Sequence, residues 1–302
     1  MIDISEVHEA ARRVAGRIRR TPVVQAGPDR WFKLEFTQHA GSFKTRGMFN
    51  QILAGDPPAA GIVAASGGNA GLAAAYAARE LGVPAEVYVP VTAPAVKVAK
   101  LSKLGARVVQ VGQEYAEAYA AATVRADETG ALFCHAYDDP AMVAGNGTLG
   151  LELREQLPDG FDTVLVAVGG GGLIAGVIAA LRDHARIVAV EPVTSCALHA
   201  ALAAGEPVDV PVSGVAADSL GARRAGRIAY ELAADAGITS VLVPDEAIVE
   251  ARRRLWDDYR IVVEHGTAAA QAALICGAYR PEPGERVAVL LCGANTDPAD
   301  LT

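Results

Sequence analysis

Aromatic residues are scarce in this chain, at 5%, and the composition leans instead on Ala, Gly and Val. That suits tightly packed helices on a sheet better than an all-β sandwich. The four cysteines, Cys134, Cys196, Cys276 and Cys292, are widely spaced and include no CxxC pair. The spacing speaks against a disulfide framework or a zinc site and points to a reduced, cytoplasmic setting. No basic block or acidic tail occurs, and a net charge of −8 argues against a nucleic-acid partner or an anionic membrane surface. Internal repeats and low-complexity linkers are also missing. The N-terminus reads as an amphipathic helix (Ile4, Val7, Ala11, Val14, Ile18) carrying charges throughout, unlike a secretion signal. The stretch 163–181 has the length of a membrane span, but the four glycines at its centre disfavour a spanning helix.

What the 302 residues do contain is apolar sequence, 51% of the chain, enough for one large or two ordinary cores. Short β-branched runs alternate with longer helical patterns. "GIVAAS" precedes a helix from about Asn69, "AEVYVP" one from Ala95, "ARVVQVG" one from Glu114 and "LFCHAY" one from Ala141. "TVLVAVGGGG", "RIVAVEP", "SVLVP" and "RVAVLLCGAN" continue the rhythm. These eight strands predict an α/β fold of doubly wound parallel sheets, since the glycine-rich loops show no eightfold regularity of a barrel. Ligands of such sheets sit beyond the carboxyl ends of the strands.

Three strand ends carry chemistry. Gly169, Gly170, Gly171 and Gly172 lie between a strand and a helix, where bare amides and the helix N-terminus suit a phosphate. Ser66, Gly67, Gly68 and Asn69 close another strand and offer donors to a carboxylate, although Asn is also a common helix cap. Cys292 ends an apolar strand, where a buried, inert thiol is the plain reading. Separately, Lys44 stands in "HAGSFKTRGMFN" at the head of a helical pattern. A lone lysine is usually a solvated surface charge. Here Ser42 is expected to cap the helix, and the dipole and Phe43 both disfavour the ammonium, so a neutral amine able to form a Schiff base is the alternative.

Six segments then occur in one order: "KLEFTQHAGSFKTRG", "ASGGNAGLAAAYAARELGVP", "YDDPAMVAGNGT", "VGGGGLIAG", "VEHGTAAAQAAL" and "LLCGAN". Together they resemble the serine/threonine dehydratase branch of the fold-type II (tryptophan synthase β-like) pyridoxal-phosphate enzymes, from about Thr21 to Asn295. The resemblance implies two α/β domains with pyridoxal 5'-phosphate in the cleft between them. Residues 1–44 and 141–302 would form the large cofactor-binding domain and 45–140 the small one. Lys44 would carry the cofactor, Gly169 to Gly172 its phosphate, Asn69 its ring hydroxyl, Phe43 its ring face and Cys292 its ring nitrogen. Ser66, Gly67, Gly68, Asn69 and Ala70 would hold the substrate carboxylate. The implied reaction is α,β-elimination of water from a small amino acid, L-threonine or L-serine, giving a 2-oxo acid and ammonia. Relatives also imply a homodimer.

Departures from the family pattern sharpen the expectation. Racemase relatives have a second serine where this chain has Gly67, so racemisation is not expected. Cys292 resembles the animal liver-type serine dehydratases, threonine dehydratases commonly having serine there. The cation motif keeps Ala217 and Asp218 but has Gly214 in place of its Glu, which leaves a monovalent cation on backbone carbonyls as the alternative to a divalent one. His265 replaces a usual proline. The chain ends at Thr302, directly after the last motif, so isoleucine feedback through a regulatory domain is not expected. Dehydration of 3-hydroxyaspartate or phenylserine, β-replacement of the cysteine synthase type, and a non-catalytic phosphate-binding module stay as rival readings. Arg223 or Arg224 would serve a second carboxylate, against a solvated helix face.

Overall fold

The computed structural model describes residues 2–301. Among the described residues there are ten strands: β1 (Val23–Gly27), β2 (Arg30–Lys33), β3 (Ile62–Ala65), β4 (Ala85–Val89), β5 (Arg107–Gln110), β6 (Leu132–Cys134), β7 (Thr163–Ala167), β8 (Arg186–Pro192), β9 (Thr239–Val243) and β10 (Val287–Leu290). The helices of the first half are α1 (Ile4–Val14), α2 (Lys44–Ala54), α3 (Asn69–Leu81), α4 (Ala95–Lys103), α5 (Tyr115–Thr129) and α6 (Pro140–Gln156). Those of the second half are α7 (Gly172–Leu181), α8 (Ala197–Ala204), α9 (Ala217–Leu220), α10 (Arg227–Ala236), α11 (Asp245–Tyr259) and α12 (His265–Cys276).

Two sheets result. One has the order β1-β2-β10-β7-β8-β9 and the other β5-β4-β3-β6. Every pairing is parallel except β1 with β2. Each central strand is buried on both sides. Along β7, Val164 and Val166 join the core shared with α6, α7 and α10, while Leu165 and Ala167 join that of α11 and α12. In β3, Ile62 and Ala64 pack on α2 and α3, and Val63 and Ala65 on α5. The period of two along a strand thus serves two helical layers at once.

Two expectations change. The sequence reading counts eight strands and overlooks the β1–β2 hairpin, whose signal was the Gly27-Pro28-Asp29 turn. α1 stops at Val14 instead of running to Ile18, because Gly16 adopts φ +75°, outside the helical region. The 163–181 stretch divides into β7, a glycine turn and α7, and no helix among the described residues is long and apolar enough to cross a membrane.

A buried charge cluster fixes α2 to its surroundings. Arg46, with no solvent exposure, grips Glu35 through Nε at 2.5 Å and Nη2 at 3.0 Å, and reaches Glu152 at 2.9 Å. Lys33, equally buried, donates to the other oxygen of Glu152 at 2.5 Å, to Gln156 at 2.7 Å and to the Thr21 carbonyl at 2.8 Å. Removing one partner strands the rest in a medium that solvates them poorly. Arg46→Met should therefore lower the unfolding free energy by about 3–5 kcal/mol, read from urea denaturation. A loss below about 1 kcal/mol would mean that the cluster carries no such weight.

Candidate active site

Lys44 begins α2, but Ser42 does not cap that helix. The cap residue is Phe43, which makes no side-chain hydrogen bond, and the buried Ser42 Oγ has no partner. The reason is tertiary: Ser42 is extended (φ −160°, ψ 161°) and bridges to Gly293. Around it the Phe43 N–H donates to the Cys292 carbonyl at 2.9 Å, and the Ala294 N–H to the Gly41 carbonyl at 3.0 Å. This pairing brings the head of α2 against the end of β10.

The Lys44 side chain enters a cleft, where Nζ donates to the Ala136 carbonyl at 2.6 Å and lies 5.0 Å from the Phe43 ring centre. Burial lowers its pKa from 10.5 to about 8, against opposing pulls from Cys292 and Glu264. The same cleft is lined by Phe43, Asn69, Gly169 to Gly172 and Cys292. Ends of β3, β7 and β10 therefore converge on one point, from both sheets. A larger hollow of about 760 Å³, bordered by Arg19, Arg154 and Glu155, contains none of these groups and touches Arg46 and Glu152 of the charge cluster.

The glycine turn leads from Val168 into α7, whose first amides have no partner within the helix. Gly171 has φ +93°, which L side chains avoid, and a Cβ at Gly170 would stand 2.5 Å from the Tyr137 ring. A bare cradle next to an amine of lowered basicity fits an aldehyde cofactor that ends in a phosphate.

Cys292 Sγ lies 3.3 Å from Thr267 Oγ1. That hydroxyl spends its one hydrogen on the Gly293 carbonyl at 2.9 Å, so the thiol is the donor. Burial pushes the Cys292 pKa up to about 12, which keeps it neutral at physiological pH.

Not every expected residue lines the cleft. Ser66, Gly67 and Gly68 form the turn before α3, with the Gly68 N–H held by Ser66 Oγ at 3.2 Å, and Ala70 packs its side chain into the core. Asn69 is not the cap of α3, a place taken by Gly68. Its amide instead meets Glu264 and Asn295, each at 2.7 Å. Glu264, Thr267 and Ser219 line the cleft without having been singled out in the sequence. Glu264 and Thr267 belong to the "VEHGT" segment and Ser219 follows the Ala217-Asp218 pair; His265, between Glu264 and Gly266, is partly buried as the first residue of α12. Arg223 and Arg224 are exposed, and Arg224 pairs with Asp209 at 2.7 Å, but they lie in the bend between α9 and α10 and not on the expected helix face. Asp218 pairs with Lys97, across from α4. His39 hydrogen-bonds Tyr76 at 2.9 Å, a packing arrangement.

A model of the pyridoxal-phosphate dependent enzyme family matches residues 14–293. The chain belongs to that family. It is 37% identical to the L-threonine ammonia-lyase of Geobacter sulfurreducens, over 98% of this chain and 76% of that one. With the phenylserine dehydratase of Ralstonia pickettii it shares 36%, over 98% of this chain and 94% of the relative. The structure of maize serine racemase superposes with a TM-score of 0.92 at 31% identity, covering 99% of this chain and 95% of that one. The fold is that of the tryptophan synthase β-like enzymes, and the chain falls in their serine/threonine dehydratase branch, as its six motifs imply.

The amine predicts a distinctive reactivity. Below about pH 8 Lys44 is mostly ammonium, and above it mostly free amine. Reductive trapping of pyridoxal on cofactor-free protein should rise through pH 8 at Lys44 and only above pH ~10 at exposed lysines. Peptide mass spectrometry across a pH series reads this, and equal profiles at all lysines would refute it.

Proposed function

We propose that the protein is a pyridoxal-phosphate-dependent ammonia-lyase that converts L-threonine or L-serine to 2-oxobutanoate or pyruvate with release of ammonia. The observation that carries this reading is the buried Lys44 amine, with its pKa near 8, sharing a cleft with the glycine cradle and a neutral thiol. When bound, the cofactor supplies the electron sink for the bond broken at the substrate α-carbon. Main-chain amides of Gly169 to Gly172 would hold the phosphate, Asn69 would meet the ring hydroxyl and Phe43 would pack on the ring face. Cys292, as a neutral thiol, leaves the ring nitrogen less electron-withdrawing than a carboxylate would, which favours prompt loss of the β-group.

The substrate carboxylate is held at the N-terminus of α3 by Ser66 and the amides of Gly67, Gly68, Asn69 and Ala70. Lys44 Nζ then takes the α-proton. The α-hydrogen and β-hydroxyl leave together as water, and hydrolysis of the released enamine consumes water and gives the 2-oxo acid and ammonia. The two-domain division, 1–44 with 141–302 and 45–140, belongs to this reading, as do a homodimer, a catabolic role, a cytoplasmic setting and a monovalent cation on backbone carbonyls. The free cysteines support the cytoplasmic setting. The phenylserine dehydratase relative favours a bulkier β-hydroxy amino acid as the second reading.

Purified protein should absorb visibly through its cofactor and lose that band on borohydride treatment. It should release ammonia and 2-oxo acid from threonine or serine, and Lys44→Ala should remove the band and reduce turnover by ~10³-fold or more. Full turnover in that variant would end the assignment, and a panel with phenylserine and 3-hydroxyaspartate separates the substrates. Because Gly67 has no proton to offer the opposite face, serine recovered from partial reaction should stay L on chiral chromatography. Substantial D-serine would contradict this role for Gly67.

A further inference from the structure

Asn69 does not set its own orientation. Its oxygen accepts from Asn295 Nδ2 at 2.7 Å, and its nitrogen donates to Glu264 Oε1 at 2.7 Å. Asn295 Nδ2 also donates to the Ala40 carbonyl at 2.8 Å. A main-chain carbonyl only accepts, so Asn295 must turn its amino group that way. The Asn69 oxygen then has to face Asn295, and its nitrogen has to face Glu264. One N–H of Asn69 is left over, in the cleft that also holds Lys44 and Cys292.

The backbone is shaped to admit this chain of amides. Ala40 takes φ +56°, unusual for a residue with a side chain. A Cβ at Gly41 would stand 2.9 Å from Asn295 Oδ1, and one at Gly293 would run into Glu264 Oε1. Glu264 itself is 8% exposed, and its main chain is tied down by the Gly293 carbonyl at 3.2 Å and the Thr267 N–H at 3.0 Å. Burial raises its pKa to about 7. An apolar residue would fill the same space without that desolvation cost, so a packing role does not account for a carboxylate there. Asn69 arrives from α3, beside the four-stranded sheet, whereas Glu264 and Asn295 adjoin α12 and β10 of the other sheet.

We propose that Glu264 is a positioning residue which, acting through Asn69 and together with Asn295, aims the free Asn69 N–H at the ring hydroxyl of the bound cofactor. The proposal rests on the pyridoxal-phosphate reading above. Glu264 touches no reacting atom in this scheme.

The test uses cofactor binding and spectrum instead of turnover. Equilibrium dialysis with pyridoxal phosphate should show a dissociation constant about tenfold weaker for Glu264→Ala, the worth of one hydrogen bond, with a shifted visible band. Glu264→Gln keeps an acceptor oxygen and should bind within about twofold of the parent. In an Asn69→Ala background, adding Glu264→Ala should change nothing more, because the residue through which it acts is gone. Asn295→Ala should repeat both results and serves as the second probe if Glu264→Ala fails to fold. Unchanged affinity and band in the foldable single variants, losses that multiply in the double variant, or a Gln variant as weak as the Ala one would each overturn the proposal. A parent protein that binds no pyridoxal phosphate would instead overturn the underlying functional reading, and this proposal with it.

Discussion

The site depends on one strip of main-chain pairing, where residues 41–43 lie along 292–294. It joins the start of α2 to the end of β10 and so brings a primary amine and a thiol into one small buried cleft. Desolvation there lowers the basicity of the amine and raises the pKa of the thiol, and it is the first cause of both shifts. The strip holds because α2 cannot slide. Arg46, two residues beyond the lysine, is anchored on both sides by Glu35 and Glu152. Chemistry at Lys44 is thus supported by main chain in front and by a closed ionic cluster behind.

Much of the architecture was legible in the chain because parallel strands covered on both faces read as unbroken apolar runs. The β1–β2 hairpin escaped for the opposite reason. Lys33 points into the charge cluster and breaks the apolar pattern that marks a buried strand. Lys44 and the glycine turn could be found because local composition there is costly without a ligand. The Ser42 cap was a local rule defeated by a distant partner, Gly293. Glu264 stands inside the quoted "VEHGT" motif, but its bond to Asn69, 195 positions away, has no local signature.

The relatives show one scaffold carrying names that range from ammonia-lyase through dehydratase to racemase. Fold alone does not separate such activities. The function proposed for this chain would separate them by which face of the substrate meets a proton donor and how strongly the ring nitrogen is polarised. On the function proposed for this chain, the first question would turn on Gly67, which has no side-chain donor, and the second on Cys292, which shares a hydrogen bond with Thr267. The rest of the cleft, including the cradle and the amine, is common ground for any of these reactions.

The buried cluster behind α2 also bears on how such proteins diversify. Its two cations and two carboxylates balance, and losing any one leaves an uncompensated charge in a dry interior. A lineage can therefore alter it only through paired replacements in a single step, a rare event. The amine-bearing helix is pinned from behind, on the side away from the cleft, so the place of the lysine does not depend on which substrate the cleft takes.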